Sequence, residues 1–380
     1  MLYRKLAPII LASTLLAHAV QQSTGAAQAI ALDQQGRYAE AAQAWRAVAE
    51  RNPRDGAALA SLGLDLARQG DYGEAVTAYQ RALRLNPHIH GLELDLGLAL
   101  FKQGKLQEAI PPLQRAAAAD PGGVQASILL GMSYYGTSQF ARAVPYLRAA
   151  VEKTPANVEM RAVLAQSCLY AKQYTCVLEQ YKQILTVNPN SAQAHMLAGE
   201  ALDGMNEIAQ ATTEFQAAEK VAPTEPNVHF GLGYLLWKQH RYDEAAQEFR
   251  REIENEPTHA QALAYLGDCE IKLEHPAEAE PILRRAVHQA GAIQLAWLDL
   301  GIVLAGEGKN DEAAADFEQA IRMDPTGVDA HWRLARLDQA MGRTEEARAE
   351  FAKARALHEK EDRSLVQQMT PKSAASASPR

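Results

Sequence analysis

No dense run of lysine or arginine occurs anywhere in this chain, and the formal charge is -8, from 46 acidic against 38 basic residues. That balance argues against a nucleic-acid backbone as partner. Apolar runs are short. The longest, Leu6 to Val20, falls below the ~20 residues a bilayer-spanning helix needs. It follows Arg4 and Lys5 and closes on Ala17-His18-Ala19, the pattern of an export signal cut after Ala19. An uncleaved N-terminal membrane anchor is the alternative. No cysteine follows the run, so a bacterial lipid anchor is not expected, and removing residues 1–19 leaves 36 basic against 46 acidic residues, a charge of -10. The expected location is extracytoplasmic, periplasmic or secreted, with no membrane span once the signal is gone.

Catalytic signatures are missing too. LAGEGKN (Leu304 to Asn310) has Val303 where a phosphate loop needs its first glycine and Asn310 where it needs a hydroxyl. GLGYLL (Gly231 to Leu236) lacks a third glycine and follows no strand. Neither H-E-x-x-H nor G-x-S-x-G is present, and no stretch outside the repeats described next is long enough for a catalytic domain. No enzyme activity, cofactor or metal is expected. His88 and His90, one residue apart, supply two ligands where a zinc site needs three or four, with no Cys or third His nearby.

What is present is a period. Pro53, Pro87, Pro121, Pro155, Pro189, Pro223 and Pro257 are each 34 residues apart; Gly291 holds the next slot and Pro325 the one after. Other columns keep the register. A small residue stands ten past each punctuation (Gly63, Gly97, Gly131, Ala165, Gly199, Gly233, Gly267, Gly301 and Ala335). A second small column, from Ala75 to Ala347, is broken only by Val177, and four residues beyond each member stands a large one such as Tyr79, Phe215, Phe249 or Phe317. Segments such as Val228 to Gln239 and Asp243 to Glu254 carry apolar residues at helical spacing, joined by a polar turn at His240-Arg241. A proline, preceded by Asn or Asp at 52, 86, 120, 188 and 324, ends the second helix, because proline lacks the N–H and restricts the residue before it. The small columns let two backbones approach, and no hairpin buries its apolar face alone, so neighbours must stack.

A 34-residue unit with small residues at positions 8 and 20, a large residue at 24 and Pro at 32 resembles the tetratricopeptide repeat (TPR). The resemblance implies an all-α, right-handed superhelical solenoid of about ten stacked helix-turn-helix units: 22–55, 56–89, 90–123, 124–157, 158–191, 192–225, 226–259, 260–293, 294–327 and 328–361. The consensus Trp at position 4 survives only as Trp297, and Glu359 replaces the last proline, which marks the tenth unit as a cap. Residues 362–380, ending in TPKSAASASPR, are expected to be a disordered Ser/Ala/Pro tail.

In that family, positions 2, 5, 9, 12 and 13 of each first helix line a concave groove. Here they form a second apolar stripe: Leu94, Leu98 and Phe101; Ile128, Met132 and Tyr135; and Phe230, Tyr234 and Trp237. Around the last trio stand the acids Glu200, Asp203 and Asp268. Aromatic area beside acids suits a peptide or protein partner with apolar anchors and a basic residue. Packing of the same side chains against neighbouring units is the competing reading. The clamp of Lys, Asn and Arg by which some family members hold acidic chaperone tails is not matched, cations being scattered at Lys102, Lys238, Lys272 and Arg336. The functional expectation is a protein-protein interaction scaffold or adaptor of the cell envelope. The alternative is a passive structural spacer working through its ends or convex face.

Three smaller expectations remain. Cys168 and Cys176 depart from the repeat pattern within one hairpin and suggest a disulfide across its turn, leaving Cys269 free. His195 and His229, both at position 4, are expected to pack between helices. Pro112, Pro145 and Pro281 recur near one repeat position and suggest a common local bend.

Overall fold

The computed structural model describes residues 25–369, with side-chain surroundings to 363. The expected export signal lies outside the described residues. The described residues divide into two compact blocks, the first ending at Pro189 and the second beginning at Asn190. The described part of the first holds α1 (25–34), α2 (Tyr38–Arg51), α3 (Gly56–Gln69), α4 (Tyr72–Leu85), α5 (Leu92–Lys102), α6 (Leu106–Ala119), α7 (Val124–Gly136), α8 (Phe140–Lys153), α9 (Val158–Tyr170) and α10 (Tyr174–Val187). The second holds α11 (Ala192–Gly204), α12 (Ile208–Val221), α13 (Val228–Lys238), α14 (Tyr242–Asn255), α15 (Ala260–Lys272), α16 (Pro276–Val287), α17 (Gln294–Gly306), α18 (Asn310–Met323), α19 (Val328–Ala340) and α20 (Thr344–Met369). Among the described residues there is no strand. No described helix is long and apolar enough to cross a membrane.

Each block stacks five antiparallel hairpins. Within a block, the second helix of one hairpin packs on the first helix of the next, and first helices also touch one another directly, as α15 touches α17. The stops are the ones the sequence marks: α4 ends at Leu85 before Asn86-Pro87, and α18 at Met323 before Asp324-Pro325. Starts are uneven. Asp55, Asn157, Ser191 and His259 cap α3, α9, α11 and α15 by accepting a backbone N–H three residues on. The first turn of α13 is held from outside, by fully buried Glu252 of α14, which accepts from Asn227 N at 2.7 Å and Phe230 N at 3.0 Å.

The Gly column sits under the large column of the same hairpin. A Cβ built on Gly63 would lie 2.5 Å from a Tyr79 ring carbon, and one on Gly233 would lie 2.8 Å from Phe249, so the ring occupies the space that a side chain on the glycine would need. The partner is thus the aromatic or leucine sixteen residues on, rather than the small column alone. Tyr79, Phe249 and Phe317 are accordingly almost fully buried.

A further column closes every hairpin. Position 15 of each unit adopts a positive φ: glycine at 36, 70, 104, 308 and 342, but Ser138, Lys172, Asn206, His240 and Glu274 in the five units between. Pro112, Pro145 and Pro281 lie inside α6, α8 and α16, past the first turn, and Pro111 joins them. The register ends the tenth unit at 361, whereas α20 continues to Met369, so 362–369 is helix rather than unstructured tail. That stretch holds no Gly or Pro before Pro371 to stop it. Residues 370–380 lie outside the described residues.

Candidate functional site

The stripe named from sequence is half-buried throughout. In the first block Leu94, Leu98 and Phe101 on α5, and Ile128, Met132 and Tyr135 on α7, are neither sealed nor fully exposed. Tyr135 OH donates to Gln166 on the next first helix, and its ring meets Phe140 edge-on at 5.8 Å. Phe140 in turn packs against Tyr170, which is 55% exposed.

The second block carries the denser cluster. Phe230, Tyr234 and Trp237 descend α13 one helical turn at a time, with Tyr234 stacked on Trp237 at 6.0 Å. Tyr265 on α15 stands against all three, at 6.0, 5.5 and 5.1 Å. Phe230 reaches the core through Phe249 and stacks on His259 at 5.0 Å. The three rings thus pack against the neighbouring hairpin and stay partly accessible. Tyr265, at position 6, was not among the residues read from sequence, because that column is not a family groove position. Its spacing does carry a signal, since position 6 lies three residues before position 9 on the same helical face.

The acids behave differently from one another. Asp203 on α11 is paired with Lys238 Nζ at 2.5 Å, and the same ammonium lies 5.7 Å from the Tyr234 ring centre. Asp268 on α15 is buried, accepts from Trp237 Nε1 at 2.6 Å, and has Lys272 Nζ at 3.8 Å. Glu200 on α11 is exposed, and no cation pairs with it among the described residues. Even so, enough protein surrounds it to raise its carboxyl above the ordinary glutamate range. Two of the three named acids are thus neutralised within the chain. Trp237 with Asp268 and Tyr135 with Gln166 are the same register pair, 31 residues apart, joining position 12 of one hairpin to position 9 of the next.

Several other residues singled out from the sequence make contacts within the chain. His195 and His229 each bond a glutamate nineteen residues on in their own hairpins, Glu214 at 2.7 Å and Glu248 at 2.8 Å, and His331 does the same with Glu350 at 2.5 Å. Glu219, His229 and Glu248 bring ligand atoms within 4.8 Å of one another, but Arg251 bridges both carboxylates. His88 and His90 are exposed in the turn before α5, where the His88 N–H donates to Asn86. Cys168 on α9 and Cys176 on α10 are bonded across their hairpin, with Cα atoms 6.0 Å apart. Cys269 is free and buried, and its thiol is pushed up to about 12 by that burial and by Asp268 and Glu270.

Tetratricopeptide repeat profiles match residues 26–88, 61–124, 128–175, 199–258 and 230–293, and a second tetratricopeptide repeat profile matches 304–369. The chain belongs to the tetratricopeptide repeat family. No curated protein matches this TPR chain by sequence. Among solved structures it is similar to YrrB, a TPR protein with an unusual peptide-binding site (23% identity over 50% of this chain and 98% of that one, TM-score 0.41). It is also similar to MamA (21% identity over 43% and 96%, TM-score 0.39) and to human IFIT1, a dimer with PPP-AAAA (16% identity over 87% and 89%, TM-score 0.43). Likeness this distant carries nothing about partners.

Proposed function

We propose that this TPR protein is an exported adaptor or assembly scaffold that holds a peptide or protein partner on the first-helix face of hairpins six to eight. The family itself supports a protein-protein interaction scaffold, a class typically without catalytic activity. The observation that carries the finer reading is the half-open aromatic cluster of Phe230, Tyr234, Trp237 and Tyr265. Large rigid rings of this kind dominate binding hot spots, since they lose little conformational entropy and bury much area. Export is supported by the bonded Cys168 and Cys176, because an oxidising compartment preserves such a bond.

Two measurements test the reading. The Tyr234→Ala, Trp237→Ala double variant should lose cross-linked partner capture from cell-envelope extract while still melting cooperatively; a large drop in melting temperature with capture intact would sink the groove assignment. Mass spectrometry of the native, unreduced protein should find Cys168 and Cys176 protected from alkylation. Free thiols at both positions would remove the support for export.

A further inference from the structure

We infer that Asp299 is the counter-ion for a lysine ammonium of the bound segment, placed on the first-helix face beyond the aromatic cluster; the inference rests on the groove assignment just proposed. Asp299 lies on α17 with 3% of its surface exposed. Its Oδ2 is sealed from solvent without a hydrogen-bond partner, while Oδ1 is neither sealed nor hydrogen-bonded. A buried carboxyl in that state is costly unless something outside the chain completes it.

The register shows where it stands. Asp299 holds position 6 of its unit, the column of Tyr265, whose ring lies against positions 5, 9 and 12 of the hairpin before it. The charges acting on it are Asp268 and Lys272 of α15 and Asp329 and Arg333 of α19. Asp268, Lys272 and Asp329 occupy positions 9, 13 and 2 of their units, columns that line the groove in the family. Each cation is engaged elsewhere: Lys272 lies 3.8 Å from Asp268, and Arg333 Nε lies 3.0 Å from Asp329. Asp268 is itself committed to Trp237 Nε1. Burial, followed by Asp268, holds the Asp299 carboxyl well above the usual aspartate range, so an arriving cation would displace a proton.

The geometry also selects among cations. A guanidinium binds a carboxylate best through two parallel hydrogen bonds and needs both oxygens. Here one oxygen is sealed, and a compact ammonium needs only the other.

The test uses the full-length exported protein and pools of N-acetylated, C-amidated twelve-residue peptides, each containing a tryptophan, with lysine, arginine, norleucine or glutamate fixed at one position. Acetylation removes the α-amine as a competing ammonium. Wild type should bind lysine pools about tenfold more tightly than norleucine pools. Asp299→Asn should erase that advantage while leaving norleucine binding and the melting temperature undiminished. Calorimetry in two buffers of different ionisation enthalpy should register proton release with lysine peptides for wild type and none for Asp299→Asn. A lysine preference that survives Asp299→Asn, or arginine pools bound as tightly as lysine pools, overturns the inference and leaves the groove standing. Pools bound equally by wild type and Trp237→Ala, or by neither, overturn the groove assignment and this inference together.

Discussion

A single glycine can matter to this fold through the side chain it does not have. At Gly233 the Phe249 ring fills the volume a side chain would need, at 2.8 Å from the Cβ position. Phe249 is fully buried, so it cannot swing into solvent to make room. Gly233→Ala should therefore destabilise the protein by about 1–3 kcal/mol through overpacking, despite alanine's better helix propensity. Chemical denaturation measures it; a neutral or stabilising result would mean that the ring is not fixed where the structure puts it. By contrast, Gly73 meets nothing within 4 Å, and alanine there should stabilise α4 by about 0.5–1 kcal/mol.

At the scale of the element, the hairpin turn is the least uniform part of a regular array. Ten turns require a positive φ, and five supply it with a side chain that resists it. Glu274, between α15 and α16, has a φ of 64°. Glu274→Gly should raise the melting temperature, by about 1 kcal/mol of stability if the left-handed cost is typical, since glycine adopts this geometry freely. A lower melting temperature would show that the Glu274 side chain contributes more than its backbone costs. The column also shows where sequence reading stops. Prolines at a spacing of 34 are visible because their chemistry is unmistakable, and the Gly and large columns because volume is read directly from residue type. A left-handed turn occupied by Ser138, Lys172, Asn206, His240 or Glu274 leaves no compositional mark. The candidate face was legible to the same extent: Tyr234 and Trp237 follow from helical spacing, but the pairing of Asp203 with Lys238 spans 35 residues and that of Trp237 with Asp268 spans 31. Those offsets arise only when hairpins stack. Asp299 was missed because an aspartate in a helix reads as solvated surface until its burial is known.

At the scale of the whole molecule, each hairpin packs on its chain neighbours and on little else within its block. Stability in such an array is close to a sum of unit and nearest-neighbour terms. Leu130 on α7 is fully buried. Leu130→Ala should cost about 2–5 kcal/mol locally. Hydrogen exchange should then quicken most in α7 and in α6 and α8 beside it, and fade with sequence distance along the block. Uniform loss of protection from α1 to α10 would instead mark the block as one cooperative unit.

The five turns closed by residues other than glycine have backbones of mirror-image hand at one point each. A D-amino acid placed at 138, 172, 206, 240 or 274 would meet the geometry its own chirality prefers, while keeping a side chain that glycine discards. Chemical ligation of a segment bearing D-serine at 138 or D-lysine at 172 would thus yield a tighter hairpin than ribosomal synthesis can, and one that ordinary proteases cleave poorly at its bend.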